Sequence, residues 1–576
     1  MWERHPCLNN RDRREVPLPS IKLRLKRTRV HRSKVNNTRR NPSIICTDDG
    51  WLFSSVQPPI AIDQLKEKMV DMFAGIPAAM WWSVGDHEIY NFETQIGEIV
   101  GEHEADNDQP LVQNLRHLIA TTGGPLTTLI DLCREAQLPF FPRVRMNSHY
   151  DIEPSDPGWG RFRRNHPELL IGLPDERFQV GSIEHGIRTG LNFVAPQVRE
   201  HRASIICELF ECFDVDGVEL DFMRHPAFFR IDEAYQHRHL MTDLLRHVCS
   251  RMNQTALARG KPIQLAVRVP ATLADSARIG LDVALWMAEE LVDIVVVGGG
   301  FIPYETPIRE FVHAASGKID VYGCIESTRY ADEKNLRAIA SHFWDSGAQG
   351  VHLYNFYTMG PEWNKRILNQ LADPEALKRL DKRYELDQTA RFTTPYHCAY
   401  PVDNIEATFR YASPSAQLPV ALEPMLTNCG VELRLNVVDN LQQERTDGTL
   451  AGCTLSLRLD HLTPDDELRV VLNGQSLPWN PPSVLFDGWM RQEIQAKFWQ
   501  HYPAQIVEVK RDGVSVDYAV DAPPLRRGAN ELEVRLVRAS SDGEPLLLKG
   551  VELLVEYEGQ SLQRKSSRYH RNRTTK

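Results

Sequence analysis

The 576-residue chain contains no Cys-x-x-Cys, no His-x-x-x-His, no Gly-x-Ser-x-Gly and no long uninterrupted apolar run. Each absence removes a class of protein. Ten cysteines without ligand spacing give neither a zinc ribbon nor a disulfide framework. Cys46, Cys133, Cys207, Cys212, Cys249 and Cys324 fall in apolar segments and read as reduced core residues. The one His-x-His, His237-Arg238-His239, lies in a predicted helix, where residues two apart do not share a face. Asp48-Asp49 lacks the spaced acids of a calcium loop, so neither a metal nor another cofactor is expected. The missing serine elbow argues against hydrolases of that kind. A bilayer span needs about 20 apolar residues, so no membrane span is expected. Net charge is -10, which gives no general attraction to nucleic acid, and no nucleic-acid partner is expected. Gly298-Gly299-Gly300 is the only glycine cluster after a predicted strand, and no Lys-Ser/Thr follows it as in a phosphate loop.

The two ends differ from the middle. Residues 1–42 are crowded with basic side chains, as in Lys22-Leu23-Arg24-Leu25-Lys26-Arg27, and read as a disordered extension; the basic tail 561–576 reads the same way. No apolar stretch with a small-residue cleavage site occurs there, so a cytoplasmic location is the default expectation, and secretion the expectation if the true start lies elsewhere.

Between Ser43 and about residue 390, short β-branched runs alternate with longer amphipathic ones, the pattern of βα units on a parallel sheet. The predicted strands are Ser43–Asp48, Ala78–Val84, Leu138–Met146, Val215–Phe222, Ile263–Val269, Asp293–Val297, Ile319–Ile325 and Gly350–Phe356. Helical patterns separate them: Ile60–Phe73, Leu111–Ala136, Val194–Phe213, Glu233–Ala258, Leu281–Leu291, Ile308–Ala315, Asp332–Ser346, and from Trp363 onward. Eight such units predict a (β/α)8 TIM barrel over 43–390. From 391 to 560 the period shortens to two residues (Val431–Val438, Thr454–Leu459, Glu467–Leu472, Val514–Val520, Glu531–Val537, Val551–Tyr557), which predicts an antiparallel β-sandwich.

In such a barrel the strand C-termini and the loops after them face the substrate. The richest stretch there is Asp216-Gly217-Val218-Glu219-Leu220-Asp221-Phe222-Met223-Arg224-His225. Alternation puts Gly217, Glu219 and Asp221 on the inner face and Val218, Leu220 and Phe222 against a helix. The paired acids are either catalytic carboxyls or one half of a buried ion pair with Arg224. Arg143, Arg145, Asn147 and His149 share one parity after the third strand. Arginines inside a strand need anions, which are either Glu219 and Asp221 or a substrate carboxylate. His149 is a candidate proton carrier. Trp81 and Trp82 alternate faces, so one of them can form a sugar-stacking platform and the other is core; Trp82 is the one assigned to substrate. The remaining rim candidates are Asp48 or Asp49, Asp86, Arg224, His225, Arg268, Glu326, Asn355 and Tyr357.

Thr47-Asp48-Asp49-Gly50-Trp51, Arg143-Val144-Arg145-Met146-Asn147, Asp216 through Arg224 and Leu353-Tyr354-Asn355-Phe356-Tyr357 together resemble the bacterial glycosyl hydrolase-like 10 barrel family over about residues 43–375. The chain is also distantly similar to inverting TIM-barrel exo-sialidases, at Asp48 or Asp49, Arg145, His149, Arg224 and Asn355. These resemblances imply a glycosidase acting on a carbohydrate substrate, with exo action on an acidic sugar implied by the sialidase-like positions. Chitinase-type barrels share the glycine-led strand, but their proton-donor place is Met223 here. The expectation is a glycoside hydrolase with Glu219, Asp221, Asp48, Asp49 and His149 as candidate catalytic groups. Arg143, Arg145, Asn147, Arg224, Arg268, Asn355, Tyr357 and Trp82 are its candidate substrate contacts. The alternative is a carbohydrate-binding barrel without turnover.

Overall fold

The computed structural model describes residues 42–50, 52–86, 88–104, 106–149, 158–180, 182–298, 304–326, 333–356, 361–387, 415–422, 430–479, 487–493, 506–512, 514–540 and 545–559. The basic ends, Trp51 and Tyr357 lie outside them.

Eight parallel strands close into a barrel: β1 Ile44–Asp48, β2 Ala78–Ser83, β3 Phe140–Arg145, β4 Gly217–Asp221, β5 Gln264–Val269, β6 Ile294–Val297, β7 Asp320–Glu326 and β8 Gly350–Tyr354. Each pairs with its neighbours in sequence, and β1 closes the ring on β8 through Ile45 against His352 and Thr47 against Tyr354. The expected TIM barrel is therefore present, with strand ends within a residue or two of those read from the periodicity. Alternation sorts the side chains into two layers. Ile45, Ala79, Trp81, Phe141, Ala266, Ile294, Val296, Tyr322 and Cys324 fill the interior, while Ile44, Cys46, Trp82, Val144, Val218 and Leu220 face the helical shell.

One predicted helix is two. Leu111–Ala136 divides into Pro110–Thr122 and Pro125–Glu135 because Gly123 and Gly124 adopt φ of 92° and 144° between them. Both values lie where a side chain is strained, and a Cβ on Gly124 would meet the Glu93 carboxyl.

The C-terminal part is a two-sheet antiparallel sandwich, as expected. One sheet runs Lys382–Glu385, Leu546–Tyr557, Leu450–Asp460, Val514–Val520, with Val420–Leu422 also on the Leu546–Tyr557 strand; the other runs Gly430–Val437, Gly528–Arg538, Glu467–Leu472, Gln475–Leu477. Leu435, Leu457, Val470, Val534 and Leu553 pack between them. Asn473-Gly474 makes the tight turn its sequence announces, both residues at positive φ. Lys382–Glu385 lies in the segment read as barrel, yet it forms an edge of the sandwich and packs along helix Glu333–Asp345, where Asn335 Nδ2 donates to Glu385 Oε1 at 2.9 Å. No helix among the described residues is long and apolar enough to cross a membrane.

At the base of β4, Gly217 leaves room for the Phe141 ring, which stacks on Trp81 at 5.2 Å. A Cβ there would lie 2.4 Å from that ring and 2.5 Å from the Gln264 carbonyl oxygen, a backbone atom that cannot swing away. Gly217→Ala should therefore cost about 1–3 kcal/mol by overpacking, seen as a lowered thermal midpoint.

Candidate active site

The inner faces of β3, β4 and β5 carry charge at their C-terminal ends because alternation continues the parity of the interior. Register sets Arg143 beside Glu219, Arg145 beside Asp221, and Asp221 beside Arg268. Five of the predicted residues therefore meet. Asp221 lies between two guanidiniums: Arg143 Nη2 pairs with Oδ2 and Arg268 Nε donates to Oδ1 at 2.8 Å. The backbone N–H groups of Met223 and Arg224 donate to the same Oδ1 at 2.9 and 3.2 Å. Burial alone would raise the Asp221 pKa, but Arg143 and Arg268 outweigh it and hold the carboxyl well below the usual range. Asp221 is a sealed ion-pair anchor, the buried-pair alternative of the two its sequence offers.

Glu219 is equally sealed. Arg143 Nε lies 3.1 Å from its Oε2, without the alignment a hydrogen bond needs. Burial pushes its pKa up to about 8; Arg143 opposes this and the Asp221 charge adds to it. At neutral pH Glu219 is mostly an uncharged carboxylic acid beneath the ionic layer, removed from solvent. Arg143 and Arg268, both fully buried, are engaged with these acids. They form the floor of the mouth, paired with the acids of β4.

One layer higher the groups reach solvent. Asp49 faces the mouth, because Ile45, Thr47 and Asp49 share the inner parity of β1. Asp48 faces the shell, where its Oδ1 accepts from the Gly50 N–H at 2.6 Å and shapes the turn, so of the two acids Asp49 is the one at the mouth. Arg145, Tyr354 and, at 3.4 Å, Arg143 all reach Asp49 Oδ1. Among the described residues no donor reaches Oδ2, and the side chain is 11% exposed. Burial would raise the Asp49 pKa, but Arg145, Arg143, Arg224 and the Tyr354 hydroxyl together hold it well below the normal range. Asp49 is an ionised carboxylate with one oxygen anchored and the other open.

Arg145 also binds Asp86, which follows β2 and is 16% exposed; the Ser148 hydroxyl donates to its other oxygen. Two rim carboxylates thus share one guanidinium. His149 lies beside them, its Nδ1 3.2 Å from the Gly186 carbonyl oxygen and its ring edge-on to His225 at 4.6 Å. Burial, then Arg224 and His149, keep the His225 pKa well below its ordinary value, so that ring is neutral.

Other candidates have different work. Asn147 donates to the carbonyls of Leu191 and Ala227 at 2.9 and 2.6 Å and accepts from the N–H groups of Ser148 and Leu191, so it ties loops together and has no amide group left for substrate. Asn355, at φ 53°, accepts the Asp49 N–H at 3.1 Å and positions that residue's backbone. Trp82 lies in the shell edge-on to Phe53; the inward ring is Trp81, stacked below the ionic layer, so neither is a sugar platform at the mouth. Arg224 remains a half-buried cation near Asp49. Asp86 and His225 stand at the rim, where the strand ends put them in the sequence, and Tyr354 is the rim group absent from the expected set. The inward parity of Gly350, His352 and Tyr354 would have singled out the tyrosine, whereas nothing in the sequence ties Asp86 to Arg145. Among the described residues no group of three or more His, Cys, Asp or Glu is placed to hold a metal.

Fold and site define a (β/α)8 barrel protein with a charged mouth and a C-terminal β-sandwich. No family model and no curated protein matches the chain. The endo-beta-1,4-mannanase from Thermotoga petrophila is similar in structure at 11% identity, over 89% of this chain and 98% of that one, with a TM-score of 0.40. A glycoside hydrolase family 18 N-acetylglucosaminidase from Paenibacillus barengoltzii aligns at 13% identity over 58% of this chain and 99% of its own, with a TM-score of 0.33. The alpha-L-fucosidase isoenzyme 2 from Paenibacillus thiaminolyticus aligns at 11% identity over 60% and 51%, with a TM-score of 0.39. Likeness this distant carries no argument about activity.

The two sealed acids predict opposite responses. Asp221→Asn leaves Arg143 and Arg268 buried without their anion and should destabilise the fold by about 3–5 kcal/mol in chemical denaturation. Glu219 has a folded pKa of about 8 against 4.5 when unfolded, so the native state binds its proton more tightly. Its stabilisation is complete below the unfolded value and is lost as pH rises through the folded one. Glu219→Gln should remove that decline and be the more stable form above about pH 8.

Proposed function

We propose that the protein is a glycoside hydrolase whose working carboxylate is Asp49. The observation that supports this most is the state of that side chain: ionised, held at Oδ1, open at Oδ2 and exposed at the mouth. Hydrolysis of a glycosidic bond needs one group to attack the anomeric carbon or activate water, and another to protonate the leaving oxygen. Asp49 takes the first role. His149 takes the second, because Asp86 bonded to Arg145 favours the charged form and makes a poor acid. Asp86 shares the Arg145 guanidinium with Asp49, and its role in this reading is to orient water beside that carboxylate.

The substrate class is read from the guanidiniums around the mouth. With Glu219 protonated the floor carries one positive charge beyond Asp221, while Arg145 and Arg224 above it are matched by Asp49 and Asp86, which suits an acidic sugar bound by its carboxylate and cleaved from a chain end. The sealing of Glu219 and Asp221 favours one other reading, a barrel that binds sugar without turnover.

A screen of chromogenic glycosides that includes sialosides and glucuronides tests the proposal. Turnover of an acidic glycoside is expected, and hydrolysis of neutral sugars alone would overturn the role given to the arginines. Asp49→Asn should lower kcat by about 10²–10⁴ with the fold intact, whereas a binder shows no turnover in the wild type. Because Asp49 stays ionised, the acid side of the kcat/KM profile should extend below the ordinary carboxylate range.

A further inference from the structure

Tyr354 ends β8 and is held by three groups. Its ring carries two guanidiniums over it, Arg143 at 4.7 Å and Arg268 at 4.8 Å from the ring centroid. Its hydroxyl donates to Asp49 Oδ1. The next residue, Asn355, takes the left-handed backbone conformation and accepts the Asp49 N–H, so one end of one strand holds both the main chain and the side chain of Asp49. The Asn355 N–H in turn donates to the Thr47 carbonyl at 2.9 Å, locking β8 to β1 just below the carboxylate.

We propose that Tyr354 is the positioning residue of the candidate carboxylate: packed against Arg143 and Arg268, it fixes Oδ1 of Asp49 and turns Oδ2 to the mouth. The inference rests on the glycosidase reading for its purpose but not for its geometry. A tyrosine suits the task because its ring gives both guanidiniums a π-face, while the hydroxyl projects past them by a fixed length. A phenylalanine would keep the packing and lose the hold. A lysine or arginine in this place would add charge to a cluster already containing Arg143, Arg145, Arg224 and Arg268. The groups facing Asp49 are Arg143 and Arg145 from β3, Arg224 after β4, and Tyr354 and Asn355 from β8, with Asp86 across Arg145. Of these, Tyr354 is the one uncharged donor to the carboxylate oxygen. Its removal takes away a hydrogen bond to the charged form without altering the charge count, which raises the pKa of Asp49.

The test is the full-length Tyr354→Phe variant, read in two ways. Carbodiimide coupling with an amine nucleophile modifies protonated carboxyls, and peptide mass spectrometry follows Asp49 and Asp86 separately. At a pH above both pKa values, Asp49 should label about tenfold faster for each unit its pKa rises, while Asp86, which Tyr354 does not touch, labels at the wild-type rate. Unchanged labelling of Asp49, or parallel increases at both residues that mark a loosened mouth, would overturn the assignment. Where the wild type turns over a glycoside, Tyr354→Phe should lower kcat about ten- to hundredfold, leave KM little changed and move the acid limb of the profile upward. A wild type that hydrolyses nothing sinks the glycosidase reading, and the labelling result still decides on Tyr354.

Discussion

Arg143 holds the top of the barrel together. From β3 it reaches Glu219 and Asp221 on β4, Asp49 after β1, the Ser83 hydroxyl on β2 and the face of Tyr354 on β8. Removing that many charges from water costs several kcal/mol per ion, and attraction offsets it only where geometry and hydrogen bonds are nearly complete. Here they are complete for Asp221, which takes two guanidiniums and two backbone N–H groups. They are incomplete for Glu219, which responds by keeping its proton. With Glu219 protonated, Arg143 and Arg268 face the single charge of Asp221, and the floor keeps one positive charge in excess.

The frame around this layer is polar as well. Glu88, at φ 64°, binds Arg202 at 2.6 Å, Arg163 at 3.2 Å and His201 at 3.4 Å, and Arg163 passes on to the Ser148 carbonyl at 2.7 Å and stacks on Trp159. A left-handed glutamate held by two arginines, with a histidine beside it, fixes the loop that carries Asp86 against the loop that carries His149. On the opposite side the sandwich does similar work. Asp387 accepts the N–H groups of Tyr304 and Glu305 at 2.7 and 3.1 Å, and Asn436 bonds to Glu305, so the segment after β6 is tied to the second fold unit. The sandwich thus braces the rim of the barrel.

The barrel was legible because buried parallel strands read as short apolar runs and amphipathic helices fill the gaps. Parity also carried real information: the inward set Arg143, Arg145, Glu219 and Asp221 follows from alternation alone. The same rule, applied to Ile45-Cys46-Thr47-Asp48-Asp49, would have chosen Asp49 over Asp48, and applied to Ala79-Met80-Trp81-Trp82 would have sent Trp82 to the shell. What parity does not give is depth. Asn147 and Asn355 lost their assigned contacts to backbone groups of distant loops, which depend on loop paths that no period encodes.

Depth decides what an acid and an arginine do together. At the surface, Arg134 and Asp131 are both more than half exposed, and such a pair contributes about 0–1 kcal/mol. Sealed at the floor, Asp221 with Arg143 and Arg268 is worth several times more to keep intact, yet it has no surface to offer a ligand. At the rim, Asp49 and Arg145 have enough burial for strong pairing and enough exposure to meet a substrate. The same two residue types recur in all three places, so the motif on β4, which looked most like chemistry in the sequence, became the support for an aspartate one layer above it.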